Sequence, residues 1–354
     1  MVLGGSLWTD EHKSRAFACF LGNLLGDALG APFEFSAVRY GIQEMTKGFE
    51  EAHLWDFSNY NAFKLKPGQW TDDFSMALCL SDSLILFPTF NPYDLRMRFL
   101  NWRQHGYCNA FGFDERRFSK GSVGLGGNVA DSLREFVEKR TDYTSAGDGK
   151  TSGNGSVMRN SPVCVSYWTD RRKAMEVAMK QSRTTHQGVE ACDCCALLTY
   201  ICVTAIGLGK EASVERVLGD LSEFSELDGV ECRSVHGMAL SRDEGENRNW
   251  NWRSEKYHYA PERVKSNPGY VGSYAMDALA MALHCVWSTS SFEEALLKSV
   301  NLRGDSDSVS AVTGQIAGAI YGYQAIPTKW IQAVLKWDPN LIIPLRANKM
   351  YKIP

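Results

Sequence analysis

Two stretches, one near each end of the chain, decide the fold: residues 22–30 read "GNLLGDALG" and residues 314–322 read "GQIAGAIYG". Glycine recurs at every fourth position in each, and residues four apart lie on one face of an α-helix. A glycine costs about 1 kcal/mol in a helix interior, so three on one face need a structural reason. Close approach of another helix backbone supplies it. Because Asn23, Asp27 and Gln315 disfavour a lipid-facing pair, we predict tight packing in a protein core.

The rest of the chain extends this helical pattern. Apolar residues recur at helical spacing, and nothing reads as a long alternating strand. We predict helices over residues 10–29, 71–86, 91–104, 128–139, 171–181, 187–206, 213–221, 274–287, 291–300, 308–324 and 328–335. The polar, aromatic segment 241–270 predicts an extended surface loop that either shapes a ligand site or packs as a surface lobe. No linker divides the chain, so we predict one all-α domain over residues 1–354.

Composition restricts the partners and the cellular location. The chain has 354 residues with a net charge of -3, so no basic field favours nucleic acid. Ten cysteines lack the spacing of a disulfide scaffold, which indicates a reducing compartment. We find no signal peptide and no stretch of about 20 apolar residues that would span a bilayer. The sequence therefore predicts a cytoplasmic or nuclear protein that is not secreted, binds no membrane and is a monomer.

Two acidic clusters carry the strongest chemical signal. "GQWTDDFSM" (68–76) places Asp72 and Asp73 after Thr71, and "RGDSDS" (303–308) places Asp305, Asp307 and Ser308 at the start of the second glycine-striped helix. Taken alone, each is explained as a capped helix start whose acids suit the helix dipole. If the clusters meet, four carboxylates and two hydroxyls form an oxygen-only set that suits two Mg²⁺ ions, or Mn²⁺, and not zinc. Two such ions would neutralise the acids and activate water.

Other polar motifs are weaker. "GLGGN" (124–128) and "SGNGS" (152–156) are suited to present backbone N–H groups to an anion, although each is equally explained as an ordinary turn. His186 precedes a helix and is either a structural or a ligand-binding residue. "CDCC" (192–195) lies within a helical run and has no second cysteine pair at zinc spacing, so core packing is the favoured interpretation.

The order of these motifs is characteristic. "GNLLGDALGAPFEF", "GQWTDDFSMAL", "GNGSVMR", "TTHQGVEA", "SYAMDALAMAL" and "RGDSDSVSAVTGQIAGAIYG" together resemble the ADP-ribosylglycohydrolase family, of the ADP-ribosyl-acceptor hydrolase type, from about residue 14 to residue 335. The resemblance implies a compact orthogonal helical bundle with a binuclear magnesium site. Its metal motifs fall on Thr71, Asp72, Asp73, Asp305, Asp307 and Ser308, where serine replaces the threonine common at the last position.

The resemblance also implies a substrate site and a reaction. It places ADP-ribose against Gly153, Asn154, Gly155, Ser156, His186 and Tyr274, next to which the turn at Gly124 and Gly126 is a further candidate phosphate or ribose cradle, and it places Glu34, Asp72, Asp73 and Asp305 at the reacting bond. The implied activity is magnesium-dependent hydrolysis at C1″ of ADP-ribose carried by an arginine, a serine or a small acceptor. The implied partner is thus an ADP-ribosylated protein or an ADP-ribose-containing small molecule. The alternatives are a non-catalytic ADP-ribose-binding or structural relative and a metal-dependent nucleotide phosphohydrolase.

Overall fold

The computed structural model describes residues 10–39, 63–87, 89–227, 229–242, 249–257 and 261–351. The helices in these ranges are α1 (Glu11–Gly30), α2 (Asp72–Leu86), α3 (Pro92–His105), α4 (Gly127–Lys139), α5 (Ser161–Ser166), α6 (Arg171–Arg183), α7 (Val189–Leu208), α8 (Val214–Leu218), α9 (Ser222–Ser225), α10 (Arg233–Ala239), α11 (Pro261–Ser266), α12 (Ala275–Trp287), α13 (Phe292–Leu302), α14 (Ser306–Tyr321), α15 (Thr328–Leu335) and α16 (Ile342–Met350). Across these ranges the β-structure is limited to isolated bridges, which include Ser36 with Gly304, Gly153 with Tyr274, and a bridge at Asn249. The predicted all-α fold is confirmed.

Helices α1 and α14 form the centre of the molecule and run antiparallel. Gly22 lies against Gly314, Gly26 against Ser310, and Gly30 against Ser306. A Cβ atom added at Gly26 would lie 2.0 Å from the carbonyl oxygen of Ser310, which is backbone and cannot move aside easily. The glycine stripe therefore lets two helix backbones touch, as predicted. It also places the C-terminal end of α1 beside the acidic start of α14.

Gly322 has a different role from the other glycines of the pattern. It follows the last residue of α14 and has φ +79°, a conformation that residues with a Cβ rarely adopt. Its N–H donates to the carbonyl oxygen of Gly318, which closes the final turn. This glycine ends the helix, whereas Gly314 and Gly318 allow close packing on α1.

Two of the core helices are more apolar than the sequence analysis allowed. The most apolar 18-residue windows within Glu11–Phe33 and Val189–Glu211 have mean hydropathies of 1.3 and 1.9, and both segments are long enough to cross a membrane. The expectation that no segment reaches this length is therefore wrong. Their most apolar windows are 100% and 83% buried inside the protein, which is also the pattern of a core helix. The predicted lack of membrane contact stays a prediction.

Several short helices were not predicted. Helices α5 and α16 each carry proline within their first three residues, at Pro162 and Pro344, and prolines there read equally well as loop signals. Helix α10 has only seven residues, which is too short for a clear apolar period. The missed elements are therefore those with the least sequence periodicity.

The described part of the predicted surface loop 241–270 is packed against the protein. Trp250 and Trp252 are buried, and the indole Nε1 of Trp252 donates to the carbonyl oxygen of Met238 at 2.6 Å. Helix α11 lies within the same segment. The tryptophans of this segment therefore pack as a surface lobe, whereas Tyr270 at its end is exposed and lines a cleft, so both interpretations left open by the sequence hold for part of it. Cys192, Cys194 and Cys195 are likewise buried along α7, as expected for core residues.

Candidate active site

The two acidic clusters meet at the floor of one cleft. Thr71 Oγ1 lies 3.4 Å from Asp307 Oδ2, although the two residues are 236 positions apart. Carboxylate oxygens of Glu34, Asp305 and Asp307 lie within 4.8 Å of one another. Asp72 and Asp73 line the same cleft, from the first turn of α2. The arrangement therefore contradicts two independent capped helices, because the starts of α2 and α14 face each other.

Asp27 organises this floor and was missed as a site residue. It lies on α1 and accepts hydrogen bonds from the Thr71 N–H and Thr71 Oγ1, both at 2.9 Å, and from the Phe74 N–H at 2.9 Å. It thereby caps α2 from another helix, the task first considered for Thr71. A carboxylate in the middle of an otherwise apolar helix face was the sequence signal. Burial raises the pKa of Asp27 to about 7, while these hydrogen bonds oppose the shift.

The floor concentrates carboxylates, and the described residues that line the cleft include no lysine or arginine to offset them. Burial raises the pKa of Asp73 and Asp307 well above the usual range, and repulsion from neighbouring aspartates adds to the shift. Burial and repulsion also raise the pKa of Asp72 and Glu34. Asp73 Oδ1 and Glu34 Oε2 are buried without a hydrogen-bond partner. An oxygen-only set with unpartnered carboxylate oxygens fits hard divalent cations such as Mg²⁺.

The two predicted hydroxyl ligands occupy different positions. Ser308 lines the cleft, and its Oγ donates to the thioether of Met158 at 3.6 Å. Thr71 is buried between Asp27 and Asp307. The Thr71 hydroxyl thus links Asp27 of α1 to Asp307 on the acidic floor. Its role as a metal ligand stays a prediction.

Glycine-rich turns form the walls. Gly124 has φ +81°, and a Cβ there would lie 1.8 Å from Asp72 Oδ1, so only glycine lets this turn pass over the carboxylate. Gly126 caps α4 and leaves the N–H groups of that helix start beside the cleft, a setting suited to an anion. In the second glycine-rich turn, which lies against the start of α4, Asn154 Nδ2 donates to Gly272 O at 2.9 Å and to Asp305 Oδ2 at 3.1 Å. Asn154 therefore ties this turn to the acidic floor.

His186 packs against the second glycine-rich turn, Gly153–Gly155. A Cβ added at Gly155 would lie 3.1 Å from its Cε1, and one at Gly153 would lie 3.5 Å from its Nε2. The ring Nδ1 pairs with Thr185 Oγ1 at 2.8 Å. Burial, with the nearby Arg159 guanidinium, lowers the pKa of His186 to about 3. The imidazole is therefore neutral near pH 7, and it lines the cleft as an uncharged group.

This lowered pKa gives a stability prediction. Between pH 6.5 and 5 an unfolded histidine takes up a proton that the buried His186 resists, so the folded state loses stability as pH falls. Over that range the loss is about 2 kcal/mol. In urea unfolding, the free energy of unfolding of the wild type should fall between pH 7 and pH 5. The corresponding fall in H186Q should be smaller by about 2 kcal/mol. Parallel pH curves for the two proteins would show that His186 is protonated while folded.

Two predicted substrate contacts are not among the described lining residues of the cleft. Ser156 is fully buried, and its hydroxyl accepts from Ser182 Oγ at 2.8 Å behind the turn. Tyr274 pairs through its backbone with Gly153, and the Arg263 guanidinium lies 5.2 Å from its ring centroid. Both support the second glycine turn from outside. Their direct contact with a ligand stays a prediction.

The cleft holds about 440 Å³, within the range of small-molecule sites. The other predicted positions, Gly124, Gly126, Gly153, Asn154, Gly155 and His186, all line it. The sequence analysis missed Phe35, Phe63 and Tyr270 as lining residues. Phe35 adjoins the quoted Glu34, and Tyr270 ends the aromatic segment 241–270, so both had an available signal. The aromatics give the cleft an apolar side that the motif analysis did not anticipate.

Comparison with known proteins agrees with this geometry. A sequence model of the ADP-ribosylglycohydrolase family matches residues 8–348. The chain is 27% identical to ADP-ribosylarginine hydrolase Tri1 of Pseudomonas putida (strain GB-1), over 95% of this chain and 78% of that protein. It is 28% identical to the ADP-ribosyl-[dinitrogen reductase] glycohydrolase of Rhodospirillum rubrum, over 90% and 89%.

More distant and structural relatives extend the match. ADP-ribosylhydrolase ARH3 of Bos taurus is 23% identical over 98% of this chain and 96% of its own. A solved structure described as an ADP-ribosylglycohydrolase-related protein complex superposes with a TM-score of 0.72 at 27% identity, covering 97% of this chain and 99% of that one. Because the family match spans nearly every residue, including both acidic clusters and both glycine turns, the chain belongs to the ADP-ribosylglycohydrolase family.

Proposed function

We propose that this protein hydrolyses the C1″ glycosidic bond of ADP-ribose attached to an arginine or serine side chain, or to a small acceptor, and that it requires Mg²⁺. One observation carries the proposal: Glu34, Asp72, Asp73, Asp305 and Asp307 converge on a cleft whose walls are glycine-rich turns. The named relatives are arginine- and protein-directed ADP-ribosyl hydrolases, which supports the same reaction class.

The residues fit a pair of divalent cations. Asp72, Asp73, Asp305, Asp307 and Ser308 would hold them, with Thr71 behind. When bound, such ions offset the clustered negative charge and lower the pKa of coordinated water. Mn²⁺ has the same preference for oxygen ligands and is expected to substitute. Asp73 Oδ1, buried without a hydrogen-bond partner, is the atom whose environment most requires a cation.

Side chains of the cleft stabilise charge and transfer protons in the proposed reaction. Glycosidic cleavage builds positive charge on the ribose ring, and the floor carboxylates stabilise that charge. A floor aspartate accepts one proton from a water molecule as the oxygen of that water bonds to C1″. Glu34, whose burial raises the pKa of its carboxyl group, is placed to donate a proton to the departing nitrogen or oxygen as the C1″ bond breaks, and proton exchange with solvent then restores both carboxyl groups. The balance is one water consumed, with free ADP-ribose and the restored acceptor released.

The wall turns are suited to hold the rest of the substrate. The N-terminal end of α4 leaves backbone N–H groups beside the cleft, and the turn at Gly153–Gly155 adds no charged side chain to it. Such groups bind a diphosphate without a lysine or arginine. Fixing the diphosphate would orient the distal ribose over the acids. This arrangement favours an ADP-ribose-sized substrate over a mononucleotide.

The test is product analysis with paired substrates. Arginine- and serine-linked ADP-ribosyl peptides of matched sequence are incubated with enzyme, with Mg²⁺ and with EDTA, and the products are separated by chromatography. We expect ADP-ribose to appear with Mg²⁺, and EDTA to lower the rate by at least about 100-fold. Release of AMP would instead show phosphate-bond cleavage. Binding of ADP-ribose without turnover of any peptide would indicate the non-catalytic alternative.

A further inference from the structure

An aromatic pair stands at the cleft beside Glu34. Phe35 and Tyr270 both line the cleft, and their ring centroids lie 5.1 Å apart with an interplanar angle of 41°. Phe35 is 43% exposed and Tyr270 is 57% exposed. Large apolar side chains left open at a binding cleft indicate a contact surface for a ligand.

The backbone holds Phe35 in this position at a cost. Its φ is +64°, a left-handed conformation that is a genuine outlier for a bulky residue. The Phe35 N–H donates to Gly304 O at 2.9 Å, and the Gly304 N–H donates to Ser36 O at 2.9 Å. On the other side, a Cβ at Gly269 would lie 2.5 Å from Phe35 O, so the turn before Tyr270 packs directly on Phe35. Contacts on both sides therefore fix the pair beside the acidic floor.

Position decides which part of the substrate the pair meets. Phe35 directly follows Glu34, so their Cα atoms are about 3.8 Å apart. A carboxylate oxygen of Glu34 lies within 4.8 Å of carboxylate oxygens of Asp305 and Asp307. In the proposed reaction those acids surround C1″. Adenine is separated from C1″ by two phosphates and two riboses, whereas the acceptor side chain is bonded to C1″ itself. The acceptor is thus the group that reaches Phe35 and Tyr270.

Charge decides the kind of acceptor. Among the described residues that line the cleft, the charged side chains are all carboxylates. A guanidinium stacks on aromatic faces and is attracted by their quadrupole, and no lysine or arginine is among the described lining residues. A serine acceptor is uncharged and has no planar group to stack.

Resting on the proposed function, we infer that Phe35 and Tyr270 form an acceptor subsite that binds a guanidinium and so selects ADP-ribosylarginine over ADP-ribosylserine. The pair acts on selectivity and does not take part in bond cleavage. Because the stacked guanidinium is present before and during the reaction, its loss raises KM more than it lowers kcat.

The test compares variants on the matched arginine and serine peptides with Mg²⁺ present. Tyr270→Ala and Phe35→Asn remove one ring each, and Asn tolerates the left-handed backbone. We expect kcat/KM for the arginine peptide to fall about 5- to 30-fold, mainly through KM, with a change under about threefold for the serine peptide. Tyr270→Phe keeps the ring and should keep arginine activity. Phe118→Ala removes an exposed aromatic that is not among the described lining residues and should match the wild type.

Free ADP-ribose binding, measured by calorimetry, separates the outcomes. An unchanged ADP-ribose affinity with weaker use of the arginine peptide supports the acceptor subsite, whether or not the serine peptide is a substrate. Equal losses on both peptides together with weaker ADP-ribose binding would mean that the pair stacks on adenine, and the inference is then wrong. An unchanged arginine KM, or cleavage of the serine peptide alone, also overturns it. A wild type that releases ADP-ribose from neither peptide refutes the proposed function instead.

Discussion

Asp305→Asn is expected to lower kcat/KM for ADP-ribose release by at least about 100-fold while leaving the helical fold intact. Asp305 caps α14, lies within 4.8 Å of Glu34 and Asp307, and accepts a hydrogen bond from Asn154 Nδ2. Asparagine keeps the shape and can still accept that bond through its amide oxygen. The substitution removes the negative charge, and with it one ligand of the proposed cation pair. Steady-state kinetics with saturating Mg²⁺ and circular dichroism measure the two effects separately.

Thermal stability without metal provides a second, independent readout for Asp305→Asn. Repulsion from Asp305 contributes to the raised pKa of Asp307 and Asp73, so removing that charge relieves crowding at the floor. The metal-free variant should melt at the same temperature as the metal-free wild type or higher, and Mg²⁺ should stabilise it less. Asp131→Asn, on the exposed face of α4, is the matched control and should retain full activity. Near-normal turnover in Asp305→Asn would refute the metal assignment.

Gly26→Ala is expected to destabilise the protein by several kcal/mol, on the order of 3–5. The added Cβ would lie 2.0 Å from Ser310 O and 2.2 Å from its carbonyl carbon, and both belong to the backbone of α14. The helices must separate to admit it. That separation would also move Asp27, the next residue, away from Thr71. Urea unfolding, together with ADP-ribose release, should show loss of stability and activity in the same variant.

The same glycine-to-alanine substitution at Gly207 is expected to stabilise the protein. Gly207 lies on the exposed side of α7, and no atom lies within 4 Å of the Cβ that alanine would add. Gly207→Ala should stabilise the protein by about 0.5–1 kcal/mol through the reduced entropy of its unfolded chain. The difference between the two variants isolates the steric role of the glycine stripe. Equal, small effects would mean that α1 and α14 are not in backbone contact.

Most of the helical fold was predictable because its periodicity is local. The glycine stripes predicted the contact of α1 with α14, since nothing else explains repeated helix-interior glycines. The short helices α5, α10 and α16 were not predicted, because few turns give little periodicity and early prolines read as loop signals. The apolar length of α1 and α7 was also underestimated. In α1, Asn23 and Asp27 interrupt the apolar pattern, but both are buried and each has a hydrogen-bond partner.

The acids of the site were found from their spacing, whereas their supports were not. Adjacent carboxylates at two helix starts are visible in the sequence, and so is a Gly-Asn-Gly turn. Asp27 was seen only as an argument against lipid, because its three hydrogen bonds go to residues more than 40 positions away. Phe35 and Tyr270 are 235 positions apart, so nothing local pairs them. Residues defined by tertiary contacts become visible only in the folded chain.

The antiparallel pairing of α1 with α14 also sets the order in which the protein can be made. Gly22 and Gly314 are separated by 292 positions, so α1 leaves the ribosome long before its partner is synthesised. Until then its glycine face has no backbone to contact, and such exposed apolar surface is prone to misassociation. Contacts this distant along the chain also slow folding. A nascent chain therefore cannot assemble the acidic cleft early, and activity appears only after Asp305 and the whole of α14 have been translated.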